Sequence, residues 1–337
     1  MLFKKKVLHW AIVFLLAFLL LDVSHFFRAP LLPKGSQPVI FRLEPGTSFW
    51  RVAYALHDQQ LLSRPAYWSA MVFLGGYSRD LKAGDYQIVP GEKPWELLQQ
   101  IVQGKIHLYS ITVPEGWTFS QMTDLLGQHP YVEHTLEAYS PAMIMQKLGK
   151  EGVGDPEGYF FPSTYLFARG TPDIIILKVA HETMRQKLER EWANRDPNVP
   201  YKDKDEALIV ASLVEKEAAR HEERPIIAGA ILNRLHKKML LQVDASVIYG
   251  LKGRLHGKLT KEDLKIDTPY NTYLHKGLPP TPICLPGDDS LHAAMHPVKS
   301  NILFWVARGD GTHQFSLTLK QHMQAVDQYI KNKHNDE

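Results

Sequence analysis

A single cysteine, Cys284, stands in the 337 residues of the chain. No intramolecular disulfide and no cysteine-based zinc knuckle can be built from one thiol, so a small disulfide-stapled secreted domain is excluded. A dominant charge is lacking too: 39 Lys and Arg face 36 Asp and Glu, a formal net charge of +3. That balance excludes a dedicated nucleic-acid binder, and a hydrophobic share of 45% excludes a disordered chain. There is no Gly-x-Ser-x-Gly, so a serine nucleophile has little support. Long apolar runs are scarce as well; the chain has one.

That run follows Lys4, Lys5 and Lys6. Val7–Leu21 carries no charge and one polar residue, His9. Continued to Phe27, it would form a helix about 31 Å long, the thickness of a bilayer core. A cleaved signal peptide would be shorter and would end in a small-x-small site. Here the run ends in Asp22-Val23-Ser24-His25-Phe26-Phe27-Arg28, which offers none, and the paired Phe suit a membrane interface. The expectation is a retained, single-pass signal anchor in the inner (cytoplasmic) membrane, N-terminus cytoplasmic, with everything after Arg28 on the periplasmic, extracytoplasmic side.

Beyond a spacer with Pro30, Pro33, Gly35 and Pro38, a small module begins. Val39–Leu43 alternates like a strand, and Phe49, Val52, Ala53 and Leu56 form one apolar helix face. A second helix is expected from Pro65, a strand near Ala83–Ile88, and a helix over Pro94–Val102. Pro45-Gly46-x-x-x-Trp50 recurs as Pro90-Gly91-x-x-x-Trp95, with a looser echo at Val113-Pro114-Glu115-Gly116-Trp117. Each time the pattern is strand, turn, aromatic, helix. The module resembles a LysM-like glycan-binding unit; a structural spacer explains the same residues about as well. The expected organisation is a tail, anchor and spacer over 1–37, a LysM-like module over 38–106, and a larger mixed α+β domain over 107–337, an α+β protein throughout.

In the larger domain, Thr118-x-x-Gln121 is a capping box, Leu108–Val113 a strand and Pro172–Trp192 a long amphipathic stretch. Glu157–Tyr165 is too aromatic and turn-rich for a helix; core packing is the leading reading, a sugar platform the other. Ala207–Val214 is almost wholly apolar and runs into Glu215-Lys216-Glu217. At helical spacing Glu217 falls on the side of Val210, Leu213 and Val214, while Glu215 lies about 160° away. The two carboxyls cannot form a facing acid–base pair. A carboxyl ending an apolar stripe should hold its proton at raised pH, as a general acid must. An ion pair with Lys216, Arg220, Arg224 or Arg234 accounts for either Glu equally, and spacing alone favours it. Glu217/His221 and His292/His296 have the four-residue spacing of helical metal ligands, but neither continues into a zinc-protease motif, so metal catalysis is not expected.

The ordered series "ASLVEKE", "NRL", "LQVD", "VIYG", "YNTY", "GLPPTPI" and "HP", with "LFWVARGDGTHQFSLTLKQH", resembles the YceG-like endolytic murein transglycosylases over roughly Pro114–Ile330. With the anchor and the LysM-like module, the resemblance covers nearly the whole chain. It implies a lyase that cuts the MurNAc–GlcNAc β-1,4 bond of peptidoglycan glycan strands and leaves a 1,6-anhydroMurNAc end, without metal or cofactor. It carries the catalytic role to Glu217, the second Glu of "EKE". The matching motifs offer Gln242, Asp244, Tyr249, Tyr270, Asn271 and Tyr273 as substrate-binding candidates. The implied setting is termination of nascent strands beside peptidoglycan synthases as partners. The alternative is a non-catalytic, membrane-anchored peptidoglycan-binding or scaffold protein of cell-wall synthesis. One departure stands out: Ser163 takes the place of the Asp in the family's "FPDTY" loop.

Overall fold

A computed structural model describes residues 2–150, 154–255 and 257–331; the end of the domain expected over 107–337 lies outside the described residues. It is a mixed α+β structure, rich in helix, with small two-stranded sheets. Two compact units divide it: 1–109 with 166–170, and 110–165 with 171–337.

The first unit opens with the apolar helix Leu2–Arg28, of which Lys6–Arg28 is long and apolar enough to cross a membrane. Its C-terminal turns do something the sequence did not announce. Phe26 is buried at 2% exposure and meets the Tyr67 ring edge-on, while Asp22 accepts hydrogen bonds from Arg64 and from the Tyr67 hydroxyl. Only Phe27 of the expected interfacial pair stays exposed. Leu31 N–H then donates to Glu92 O, and Gly91 N–H to Leu32 O, so the spacer is stitched onto the module.

In that module the strands Val39–Leu43 and Gly84–Ile88 pair antiparallel, from Val39 opposite Ile88 to Leu43 opposite Gly84. Helices Phe49–Asp58, Pro65–Leu74 and Pro94–Gln103 share with them a core of Phe41, Leu56, Trp68, Tyr86, Leu97 and Ile101. The repeated strand–turn–helix has a backbone reason. Gly46, Gly91 and Gly116 all sit at positive φ, 75°, 90° and 75°, where a side chain would be strained, so each turn can redirect the chain from strand to helix.

The second unit is built around the helix Lys204–Glu217. Asp203 caps its start by accepting from the N–H groups of Asp205 and Glu206, and every residue from Ala207 to Val214 is buried. Helices Asp173–Asn194, Arg224–His236, Asp244–Leu251 and Asp288–Met295 pack on it. Cys284 lies fully buried against it, with its Sγ 3.3 Å from Ser212 O, and burial pushes its thiol pKa up; the one thiol is core. Phe160 is fully buried and Tyr159, Phe161 and Tyr165 nearly so, making the aromatic loop core packing. Thr118 and Gln121 form the expected capping box.

One close approach fixes the segment that leads to the site. A Cβ on Gly229 would stand 2.3 Å from the carbonyl oxygen of Val298, a backbone atom that cannot turn aside. Gly229→Ala is therefore expected to cost about 2 kcal/mol, within the usual range for overpacking. Chemical denaturation checks this; an unchanged midpoint would show that the two segments can part freely.

Candidate active site

The helix Lys204–Glu217 ends at Glu217 because Ala218 turns extended, at φ −93° and ψ 111°. Glu217 thus lies at the negative end of the helix dipole, which disfavours a second negative charge. The two neighbouring carboxyls separate as their places on the helix require. Glu215 Oε1 lies 3.1 Å from Arg224 Nη2, and its Oε2 accepts from Gly287 N–H at 3.0 Å. Glu217 Oε2 instead accepts one hydrogen bond, 2.9 Å long, from Trp305 Nε1.

Trp305 comes from the hairpin Phe304–Ala307 with His313–Ser316, in which Trp305 pairs with Phe315 and Ala307 with His313. Three side chains strap that hairpin in place. Asn233 Nδ2 donates to Ser300 O at 2.8 Å and Ile302 O at 2.9 Å. Arg234, 5% exposed, donates from Nε to Leu303 O at 2.6 Å and from Nη1 to Leu241 O, with its guanidinium 4.7 Å from the Trp305 ring centroid. Glu223 accepts from His313 N–H at 2.8 Å and meets His313 Nδ1 at 2.7 Å.

The remaining wall joins two motifs far apart in sequence. Thr272 accepts from Val243 N–H at 2.9 Å, and its carbonyl accepts from Gln242 N–H at 3.1 Å, so the "YNTY" loop lies along "LQVD". This brings the Tyr273 hydroxyl to Asp244, the first residue of the helix Asp244–Leu251.

Burial is the largest influence on Glu217 and raises its pKa; Asp244 raises it further, while the Trp305 hydrogen bond, His313 and Arg234 pull the other way. The residue as a whole is nevertheless only half-buried. A carboxyl so placed can give a proton to an incoming group and take one back. The signs lead to paired titrations. Asp244→Asn keeps an acceptor for Tyr273 but removes a negative neighbour, so the Glu217 midpoint should fall. Trp305→Phe removes a donor to the carboxylate, so it should rise. NMR titration of the Glu217 side-chain carboxyl reads both; shifts of the same sign would refute these electrostatics.

The structure sorts the sequence candidates. Glu217, Asp244 and Tyr273 share one electrostatic neighbourhood. Gln242 is exposed and holds a left-handed φ of 50°, unusual for a residue with a side chain. Asn271 is fully buried, donating to Leu264 O and Ile266 O and accepting from Tyr273 N–H. Its amide fixes the loop. Tyr249 donates to Glu157 Oε2 at 3.0 Å, and its ring meets Tyr270 edge-on at 4.9 Å. Both Tyr249 and Glu157 line a cavity of about 740 Å³ whose lining does not include Glu217. Burial there lifts the Glu157 pKa to about 7 against the pull of its bonds from Phe119 N–H and Tyr249. Trp305 and His313 belong to the site although spacing alone did not single them out, and Arg234, which the sequence offered only as an ion-pair partner, donates to backbone carbonyls instead; all three lie inside motifs, "NRL" and "LFWVARGDGTHQF", whose side chains have no local reason to meet Glu217.

Together, fold and site define an α+β domain whose candidate reactive group is one partly buried, dipole-opposed carboxyl. The chain belongs to the YceG-like family, whose sequence model matches residues 41–328. It is 28% identical over 323 residues to the endolytic murein transglycosylase of Bacillus subtilis (strain 168), covering 90% of this chain and 88% of that protein. It is also 28% identical over 298 residues to the endolytic murein transglycosylase of Streptococcus pneumoniae serotype 2, covering 76% of this chain but only 52%, about half, of that protein. A crystal structure of a YceG-like protein from Listeria monocytogenes superimposes with a TM-score of 0.51 at 27% identity, covering 86% of this chain and 99% of that one.

Proposed function

We propose that this protein is an endolytic lytic transglycosylase that cuts the β-1,4 bond between MurNAc and GlcNAc in peptidoglycan and leaves a 1,6-anhydroMurNAc end. The observation that carries the reading is the Glu217 carboxyl, held at the end of a buried helix by a single indole donor with its proton affinity raised. Raised affinity favours the protonated form, which can donate to the leaving glycosidic oxygen. As that C–O bond breaks, positive charge grows at the anomeric carbon. The sugar's own C6 hydroxyl then attacks, and the ionised Glu217 takes the hydroxyl proton. One C–O bond is exchanged for another and no water enters, so a second carboxylate to activate water is not needed.

Asp244 is assigned two effects, raising the proton affinity of Glu217 and stabilising the oxocarbenium-like charge. Tyr273, oriented by Asp244, and the exposed Gln242 are assigned to the glycan. Asn271 acts by fixing Tyr273, while Tyr249 lines the cavity beside Glu157 and Tyr270 packs edge-on against Tyr249. The Lys6–Arg28 helix serves as a single-pass inner-membrane anchor with the catalytic domain in the periplasm. The LysM-like module holds the strand, a role favoured by the exposed indoles of Trp50 and Trp95 at its two repeated turns. So placed, the enzyme would terminate nascent strands beside the synthases that make them.

Incubating long, uncrosslinked glycan strands with the full-length protein in detergent tests the reading. Internal cuts giving fragments of intermediate length, each with an anhydro end, are expected. Retention of strands without fragmentation would assign the protein to non-catalytic binding instead.

A further inference from the structure

One cluster in the second unit has no part in that chemistry. Glu191, on the helix Asp173–Asn194, is 8% exposed. Its Oε2 lies 2.9 Å from Nδ1 of His292 and 3.7 Å from Nε2 of His296, residues on and just after the helix Asp288–Met295. The two imidazoles stack with centroids 4.3 Å apart. Arg190 occupies the other oxygen, Oε1, at 3.0 Å and leaves Oε2 to the histidines. All three donor atoms lie within 4.8 Å of one another.

These separations have a chemical meaning. Tetrahedral zinc with bonds of about 2.0–2.1 Å holds its ligand atoms about 3.3 Å apart. The observed 2.9 and 3.7 Å bracket that spacing, so small side-chain movements would suffice. Two imidazoles and one carboxylate are a donor set for zinc and its neighbours in the first transition row, and unsuited to magnesium or calcium. The carboxylate is already oriented from behind by Arg190, the kind of outer support that metal ligands have. The His292 side chain is 61% exposed, so an ion has a way in.

We propose that Glu191, His292 and His296 bind one divalent transition-metal ion, zinc fitting best, with solvent as the fourth ligand. The ion replaces the hydrogen bond between Glu191 and His292 and cross-links the two helices. Its role is structural: it ties together two elements that pack on the Glu217 helix and leaves the transglycosylase chemistry unchanged.

The test uses untagged full-length protein in detergent, stripped with a chelator and titrated with zinc by calorimetry, beside a His292→Ala/His296→Ala double variant and Glu191→Gln. The wild type should bind one zinc more per chain than the double variant, and each variant should weaken that site about tenfold or more. Zinc should raise the thermal midpoint of the wild type above that of the double variant. Equal stoichiometry and affinity in wild type and double variant would overturn the proposal, as would full zinc affinity in Glu191→Gln. Should the double variant fold poorly, the single exposed change His292→Asn carries the same comparison.

Discussion

Replacing Glu217 with Gln is expected to lower glycan cleavage by about 10³-fold or more, because in the proposed mechanism the same group gives the first proton and takes the second. Gln keeps the shape and can still accept from the Trp305 indole, but it has no proton to give. The same change should leave stability equal or higher at neutral pH. The sign follows from linkage: Glu217 has a folded pKa raised above its unfolded value. The folded state therefore holds the proton over a window where the unfolded chain has lost it. Stability falls as pH rises from the unfolded pKa through the folded one, and above that window the full cost remains. Gln carries no such cost. Melting the two proteins side by side should show the variant level with or above wild type at neutral pH, with the difference vanishing in acid. A variant that melts lower at neutral pH would mean that ionised Glu217 stabilises the fold, contrary to its proposed role.

The second large effect belongs to Arg234. Its guanidinium serves two backbone carbonyls, of Leu303 and Leu241, from a position 5% exposed, and lies over the rings of Phe304 and Trp305. Arg234→Met fills much of the same volume but leaves both carbonyls without their donor. That should cost about 3 kcal/mol, lowering the thermal midpoint by about 6–12 °C for a domain of this size. Activity should fall further than the folded fraction does, because Leu303 leads directly into the strand that carries Trp305. Arg234→Lys should fall between, since one ammonium cannot span both carbonyls in a planar fork. Melting curves, with activity measured well below the transition, separate the two effects. A loss below about 1 kcal/mol would show that the carbonyls find other partners and that the strap is unimportant.

What the sequence disclosed, and what it withheld, divides along physical lines. Periodicity and turn chemistry are local, so the strands Val39–Leu43 and Gly84–Ile88, the helices after each Pro-Gly turn and the Thr118 capping box were all legible. So was the buried helix ending in Glu217, because an unbroken apolar run has few alternatives. The opposed directions of Glu215 and Glu217 needed only the helical repeat. Contacts between distant segments left no such signal. Trp305 reaches Glu217 across 88 positions and Glu191 reaches His292 across 101, and no spacing rule spans such a gap. Phe26 misled for a related reason: an aromatic at the end of an apolar helix suits a membrane interface, and only the presence of Tyr67 turns it into core. Asn271 sits in a motif that marks the site, yet its amide is engaged in holding the loop. A motif identifies a neighbourhood, and the hydrogen bonds decide which member faces the substrate.

The central claim is that one carboxyl and the sugar's own hydroxyl complete the reaction without water. Digesting purified glycan strands in water enriched in oxygen-18 and weighing the new ends by mass spectrometry tests it most directly. The account predicts unlabelled ends, each lighter by one water than a hydrolytic product, from wild type and none from Glu217→Gln. New reducing ends carrying the heavy oxygen would contradict it.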